Sequence, residues 1–127
     1  MKMVTIQIAA LAGALSACAP TTEITSSPIA LSGDLDRQAR QVAEYNLIDP
    51  GSVMYRNISA YRLANGDIAY CGEQNARNRM GGFVGYTSFY MRFTPSASGP
   101  VTKSEKREFL ADVACGKLAR GEALSLR

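Results

Sequence analysis

The chain has 127 residues, of which 46% are hydrophobic and 20% charged: enough for one small folded domain, too few for two, and too apolar for a disordered chain. Its formal net charge of +3 is too small to argue for nucleic acid, which calls for a concentrated basic stripe. There is no histidine and no tryptophan, so the commonest general base and the commonest metal ligand are missing together.

Met1-Lys2 supplies one positive charge, and residues 4–17 follow as an apolar stretch whose only polar side chains are Thr5, Gln7 and Ser16. A bilayer crossing needs about 20 apolar residues, so this shorter run reads as the h-region of a signal peptide. A buried N-terminal helix is the competing reading, but the Thr/Ser/Pro-rich stretch that follows would detach it from the rest. The run ends in Leu15-Ser16-Ala17-Cys18. These four residues resemble the lipobox of bacterial lipoproteins. The resemblance implies diacylglyceryl transfer to the Cys18 sulfur, cleavage before it and acylation of the new amine. Several chains together pass the two-signal threshold for stable anchoring in a bilayer. An ordinary secretory cut after Ala19 also satisfies the small-x-small rule, but it would leave Pro20 directly behind the cut. Removal of residues 1–17 takes Lys2 with it and lowers the net charge to +2. Weak attraction to anionic lipid or cell-wall surfaces stays open. Ala19, not Asp, follows the cysteine, which resembles default export to the outer membrane, facing the periplasm.

Residues 18–33 read as the lipidated cysteine and a flexible tether, with Pro20, Pro28, Gly33 and Thr or Ser at 21, 22, 25, 26, 27 and 32. Such a linker has a root-mean-square reach of about 20 Å and a stretched length of roughly 50 Å. The folded domain is then expected over 34–127. Leu35, Ala39, Val42, Ala43 and Leu47 predict a first helix, capped by Ser32 or Asp34 and stopped before Pro50. Residues 53–63 and 68–74 predict two strands around Asn65-Gly66, a type I′ hairpin signal. A polar loop over 75–82 leads to a third strand over 83–93. Thr102-x-x-Glu105 resembles a capping box before a last helix, whose apolar residues are Phe109, Leu110, Val113, Ala114 and Leu118. The expected fold is α+β: an N-terminal helix, a three-stranded antiparallel meander and a C-terminal helix, with both helices on one face of the sheet.

Once Cys18 is assigned to lipid, Cys71 and Cys115 are left as an even pair in an oxidising compartment. A disulfide there would stabilise the domain by about 4 kcal/mol in the chain-entropy model. Two buried free thiols are the alternative. On a regular helix Cys115 lies toward the edge of the expected apolar face, so the bond requires that edge to meet the second strand. Two sulfurs without histidine argue against zinc.

One constellation stands out. Residues 71–86 are polar and glycine-rich; with Asp49-Pro50-x-Ser52, Tyr55-Arg56-Asn57 and Phe89 they resemble a recurrent module of small exported proteobacterial proteins. Its pattern runs D-P-x-S, aromatic-Arg-Asn, then C-G-x-x-N-x-x-N-x-x-G-G-aromatic-x-G-aromatic. Phe83 stands where tyrosine is common. The resemblance covers residues 49–89 and implies a fold, not a mechanism. Glu73, Asn75, Arg77, Asn78 and Arg79 are the candidate binding loop. Each also has a bland role: asparagines bond loop backbone, Gly81 and Gly82 serve turns, and exposed charges are solvated.

These features predict a membrane-anchored envelope lipoprotein with a non-enzymatic binding domain and an envelope protein as partner. No catalytic residues, cofactor, metal or nucleic acid are expected. An inhibitor of a cell-wall-degrading enzyme and an accessory lipoprotein of a secretion assembly are the alternatives. A small hydrolase ranks behind them, because no nucleophile and base can be paired by spacing.

Overall fold

Residues 22–126 are described by a computed structural model. In chain order it holds β1 (Glu23–Ile24), β2 (Ser26–Ile29), α1 (Gly33–Glu44), a 3-10 turn (Pro50–Ser52), β3 (Met54–Leu63), β4 (Ile68–Asn75), β5 (Thr87–Thr94), β6 (Val101–Arg107), α2 (Glu108–Ala119) and β7 (Leu124–Ser125). The expected meander is present as β3-β4-β5, but it is only the middle of a five-stranded antiparallel sheet ordered β2-β3-β4-β5-β6. A separate antiparallel pair joins β1 to β7. The expectation of a three-stranded α+β fold is therefore corrected: over the described residues the chain is mostly β, with seven strands and two helices.

Two of the missed strands have physical reasons to look like something else. Pro28 in β2 pairs with Tyr61; proline cannot donate to a ladder, but β2 is an edge strand whose outer side needs no donors. β6 is the opposite edge, and its Lys103, Glu105, Lys106 and Arg107 are the charges that keep an edge from pairing with another chain. Thr102 and Glu105 lie within β6, so they cap nothing, and α2 begins at Glu108 with Arg107 as its cap residue. β1 and β2 fall inside the segment read as tether. The fold thus begins by residue 23 rather than 34.

Side-chain alternation divides the core into two layers. Tyr61, Leu63, Ala69, Cys71 and Tyr90 face α2 through Ala111, Ala114 and Leu118, with Ile24 and Leu124 of the small sheet. Ala60, Ile68, Tyr70, Phe89, Met91 and Phe93 face α1 through Ala39, Val42 and Ala43. The helices therefore cover opposite faces of the sheet, not one face. Each fully buried large apolar side chain contributes about 1.5–3 kcal/mol.

The disulfide between Cys71 and Cys115 is present, with Cα atoms 6.0 Å apart. It fixes which side of α2 meets the sheet. Cys115 must face β4, so Ala111, Ala114 and Leu118 turn inward while Phe109, Leu110 and Val113 are exposed. The apolar face read from the sequence is rotated outward by this constraint.

The hairpin at Asn65-Gly66 also differs in detail. Only Gly66 has positive φ, Leu63 accepts from the Gly66 N–H at 2.9 Å, and Leu63 donates to Asp67 at 2.8 Å. That is a three-residue loop, not a type I′ turn. Asp67 is buried just behind it and binds Arg92 at 2.8 Å and Thr94 Oγ1 at 2.6 Å, which pins the hairpin to β5. Between Arg56 and Ser59 the register of β3 shifts, with Asn57 left-handed at φ 53°. The shift lays Ile58 over Gly72: a Cβ there would collide with Ile58 Cδ1 and sit 3.3 Å from the Arg56 carbonyl.

Candidate functional site

The residues between β4 and β5 fold as a structured loop on the 3-10 turn. Ser52 Oγ donates to the Asp49 carbonyl at 2.7 Å and accepts from the Arg77 N–H at 2.9 Å. Asn75 Oδ1 accepts from the Gly85 N–H at 3.1 Å. Asn78 Oδ1 accepts from the N–H groups of Met80 (2.9 Å) and Gly82 (3.1 Å), closing a tight turn in which Gly81 has φ 78°. Both asparagines are thus consumed by backbone, the role expected of such residues in loops. Gly85, at φ 101°, is held by conformation; open space surrounds the place where its Cβ would be.

The five candidate loop residues separate. Glu73 lies on the α2 side of β4 and receives Arg56 through two hydrogen bonds of 3.1 Å and Asn57 at 2.6 Å. The Arg56 guanidinium, hydrogen-bonded to Glu73, and then the Asn57 amide hold its carboxyl below the usual range. Arg56 also stacks over the Tyr86 ring, 3.9 Å from its centroid. Arg79 is exposed and makes no ion pair among the described residues. Only Arg77 and Asn78 reach a common cleft. Cys18 lies outside the described residues.

That cleft, about 330 Å³ in volume, opens on the α1 side of the sheet. Its floor is Gln74 of β4, its cross-strand neighbour Thr87, and Glu105 and Arg107 of β6. One wall is Asn46, Leu47 and Ile48, just past α1; the other is Ala76, Arg77, Asn78, Val84 and Gly85. Arg107 holds Glu105 Oε1 at 2.8 Å and Asn46 holds Oε2 at 3.2 Å. Arg77 stacks over Phe83, 5.4 Å from its centroid, and forms no ion pair among the described residues.

Gln74 is the residue that marks the cleft. It is 5% exposed, and its Oε1 is buried without a hydrogen-bond partner among the described residues. An orphaned buried acceptor costs about 1–3 kcal/mol, and native folds rarely keep one.

No family model, curated protein or solved structure matches the chain.

The cleft's chemistry must therefore be taken from its own residues. Its ionisable side chains are Arg77, Glu105 and Arg107, and Glu105 is engaged through both oxygens. Among the described residues, no three His, Cys, Asp or Glu side chains are grouped to hold a metal. What the cleft holds is a buried, unpartnered amide oxygen in its floor, one cation without an ion-pair partner among the described residues, and exposed apolar surface on Ile48 and Val84. Gln74, Asn46, Ile48, Glu105 and Arg107 escaped the sequence reading. Gln74 had a signal: it shares the inward parity of Ile68 and Tyr70 on a strand otherwise apolar on that side.

Proposed function

We propose that the chain is a lipid-anchored bacterial envelope lipoprotein whose domain binds an envelope partner in the Gln74 cleft without transforming it. The carrying observation is Leu15-Ser16-Ala17-Cys18 read beside the Cys71–Cys115 bond. A disulfide suits an oxidising compartment beyond the cytoplasm, and it leaves Cys18 as the cysteine that the lipobox resemblance assigns to lipid. Export to the outer membrane, facing the periplasm, is part of the same proposal. Among the described residues no helix is long and apolar enough to cross a membrane; the anchor in this proposal is lipid on Cys18.

The partner that suits the cleft is a polypeptide segment. An apolar side chain would lie between Ile48 and Val84, a carboxylate would pair with Arg77, and a turn of the Gln74 side chain would bring its Oε1 to a partner amide N–H. Binding suits these groups better than turnover, because the one carboxylate in the cleft is already neutralised.

Photo-crosslinking residues placed at Ile48, Val84 and, as a control, Arg62 test this in living cells. The expected result is an adduct of one defined mass from Ile48 and Val84 and none from Arg62. Absence of any adduct at the cleft, or turnover of a wall substrate by the purified protein, would overturn the reading.

A further inference from the structure

The outward side of α2 carries the one inference that the cleft does not absorb. Phe109 is 73% exposed, Leu110 60% and Val113 43%, three large apolar side chains on adjacent turns. A groove of about 210 Å³ runs beside them; its lining includes Lys106, Lys117 and Leu124, and no carboxylate. Neither lysine makes an ion pair among the described residues. At 100° per residue, Glu108 and Asp112 fall on the flank of the helix away from Leu110 and Lys117, with Asp112 about 60° from Phe109 at the edge of the apolar face; Asp112 also borders the depression around Cys115 and Gly116. Apolar side chains framed by lysines are the pattern of a helix lying in the headgroup layer of an anionic bilayer.

The position of the anchor selects the same occupant. Thr22 accepts from the Leu126 N–H at 3.0 Å, directly beyond the pairing of Glu23 with Ser125, and Ser125 lines the groove. Only three residues of chain lie between Thr22 and Cys18, four Cα–Cα steps that span at most about 14 Å when fully extended. The tether is therefore far shorter than the 18–33 segment suggested, and it emerges at the edge of the exposed apolar face.

We infer that α2 is a membrane-docking surface: Phe109, Leu110 and Val113 enter the headgroup region of an anionic phospholipid bilayer, and Lys106 and Lys117 meet its phosphates. The inference rests on the anchoring of Cys18. Because α1 and α2 cover opposite faces of the sheet, this pose turns the Gln74 cleft away from the bilayer, where a partner can reach it.

The absence of tryptophan makes the test direct. Phe109→Trp, and Tyr45→Trp as a control past the end of α1, are introduced separately into the full chain. Each protein, purified from membranes, is reconstituted in phosphatidylethanolamine–phosphatidylglycerol vesicles with brominated acyl chains. The expected result is quenching at Phe109→Trp at least about twofold stronger than at Tyr45→Trp, because an interfacial helix face reaches the acyl boundary. Equal quenching overturns the inference. So does a blue shift at Phe109→Trp that resists bromolipid and vanishes on dilution, which would assign the face to a second copy of the chain. A parallel sample, starting at Cys18 and coupled through its thiol to a maleimide lipid, separates the two claims. Unlipidated cellular protein with strong quenching in the coupled sample rejects the native anchor and keeps the surface. Lipidated protein without differential quenching in either sample keeps the anchor and rejects the surface.

Discussion

Replacing Gln74 by methionine should make the domain more stable and less able to bind. The Oε1 atom is buried without a partner, a state that costs about 1–3 kcal/mol. Methionine has the same unbranched reach and no polar atom, and it adapts to irregular space in a core. Allowing for imperfect repacking of the floor around Thr87, the net gain should be about 1 kcal/mol. For a domain of roughly 100 residues that raises the melting temperature by about 4–8 °C. Thermal and urea unfolding followed by far-ultraviolet circular dichroism read the change; an unaltered urea slope confines it to native-state stability. The same variant should lose cross-linking at Val84. A Gln74→Met protein that melts earlier than wild type would mean that the amide already has its partner, and the main argument for the cleft would fall. Undiminished cross-linking would remove Gln74 from the binding site.

Three further outcomes follow from the fold. Replacing Cys71 and Cys115 together by alanine removes a cross-link spanning 44 residues and should cost about 4 kcal/mol; an unchanged urea midpoint would refute the estimate. Gly72→Ala should destabilise by about 1–3 kcal/mol, because the new Cβ meets Ile58 Cδ1 and the Arg56 carbonyl; adding Ile58→Ala should recover part of the loss, and no recovery would locate the strain in the backbone alone. Burial raises the hydroxyls of Tyr70 and Tyr90 to about 12, and burial followed by the 2.8 Å hydrogen bond to Glu44 raises Tyr55 further. Their neutral forms are favoured in the fold, so this stability is complete below the unfolded value near 10 and is lost as pH climbs toward 12. Ultraviolet difference absorbance should show these three ionising only as circular dichroism reports unfolding; free titration of all tyrosines in the intact fold would contradict their burial.

Legibility in the sequence followed how directly each residue's neighbours set its environment. α1 was readable because Ala39, Val42 and Ala43 repeat at helical spacing over one buried stripe. β3, β4 and β5 were readable because β-forming residues bracket Asn65-Gly66. The cysteine pairing follows from the expectation of export, under which Cys71 and Cys115 are left as an even pair once Cys18 is assigned to lipid. The edge strands were not: Ser26-Ser27-Pro28-Ile29 has the composition of a linker, and β6 carries the charges and the Thr-x-x-Glu spacing of a helix start. Their strand conformation is imposed by β3 and β5, which lie far away in sequence. The buried side of α2 is hidden from the sequence for a similar reason, since a bond to β4 outweighs local hydrophobicity and turns alanines inward. Arg77 and Asn78 were found in the polar loop, but the cleft they border also needs Asn46, Glu105 and Arg107, brought from both ends of the domain by sheet closure.

The proposed lipid anchor is tested most directly by intact mass of the protein extracted from membranes, taken before and after reduction. The account predicts a polypeptide beginning at Cys18, heavier than its sequence by a diacylglyceryl group and an amide-linked acyl chain, that gains two hydrogens when Cys71–Cys115 is reduced. An unmodified Met1 terminus, or a lipid-free chain beginning at Pro20, would contradict it.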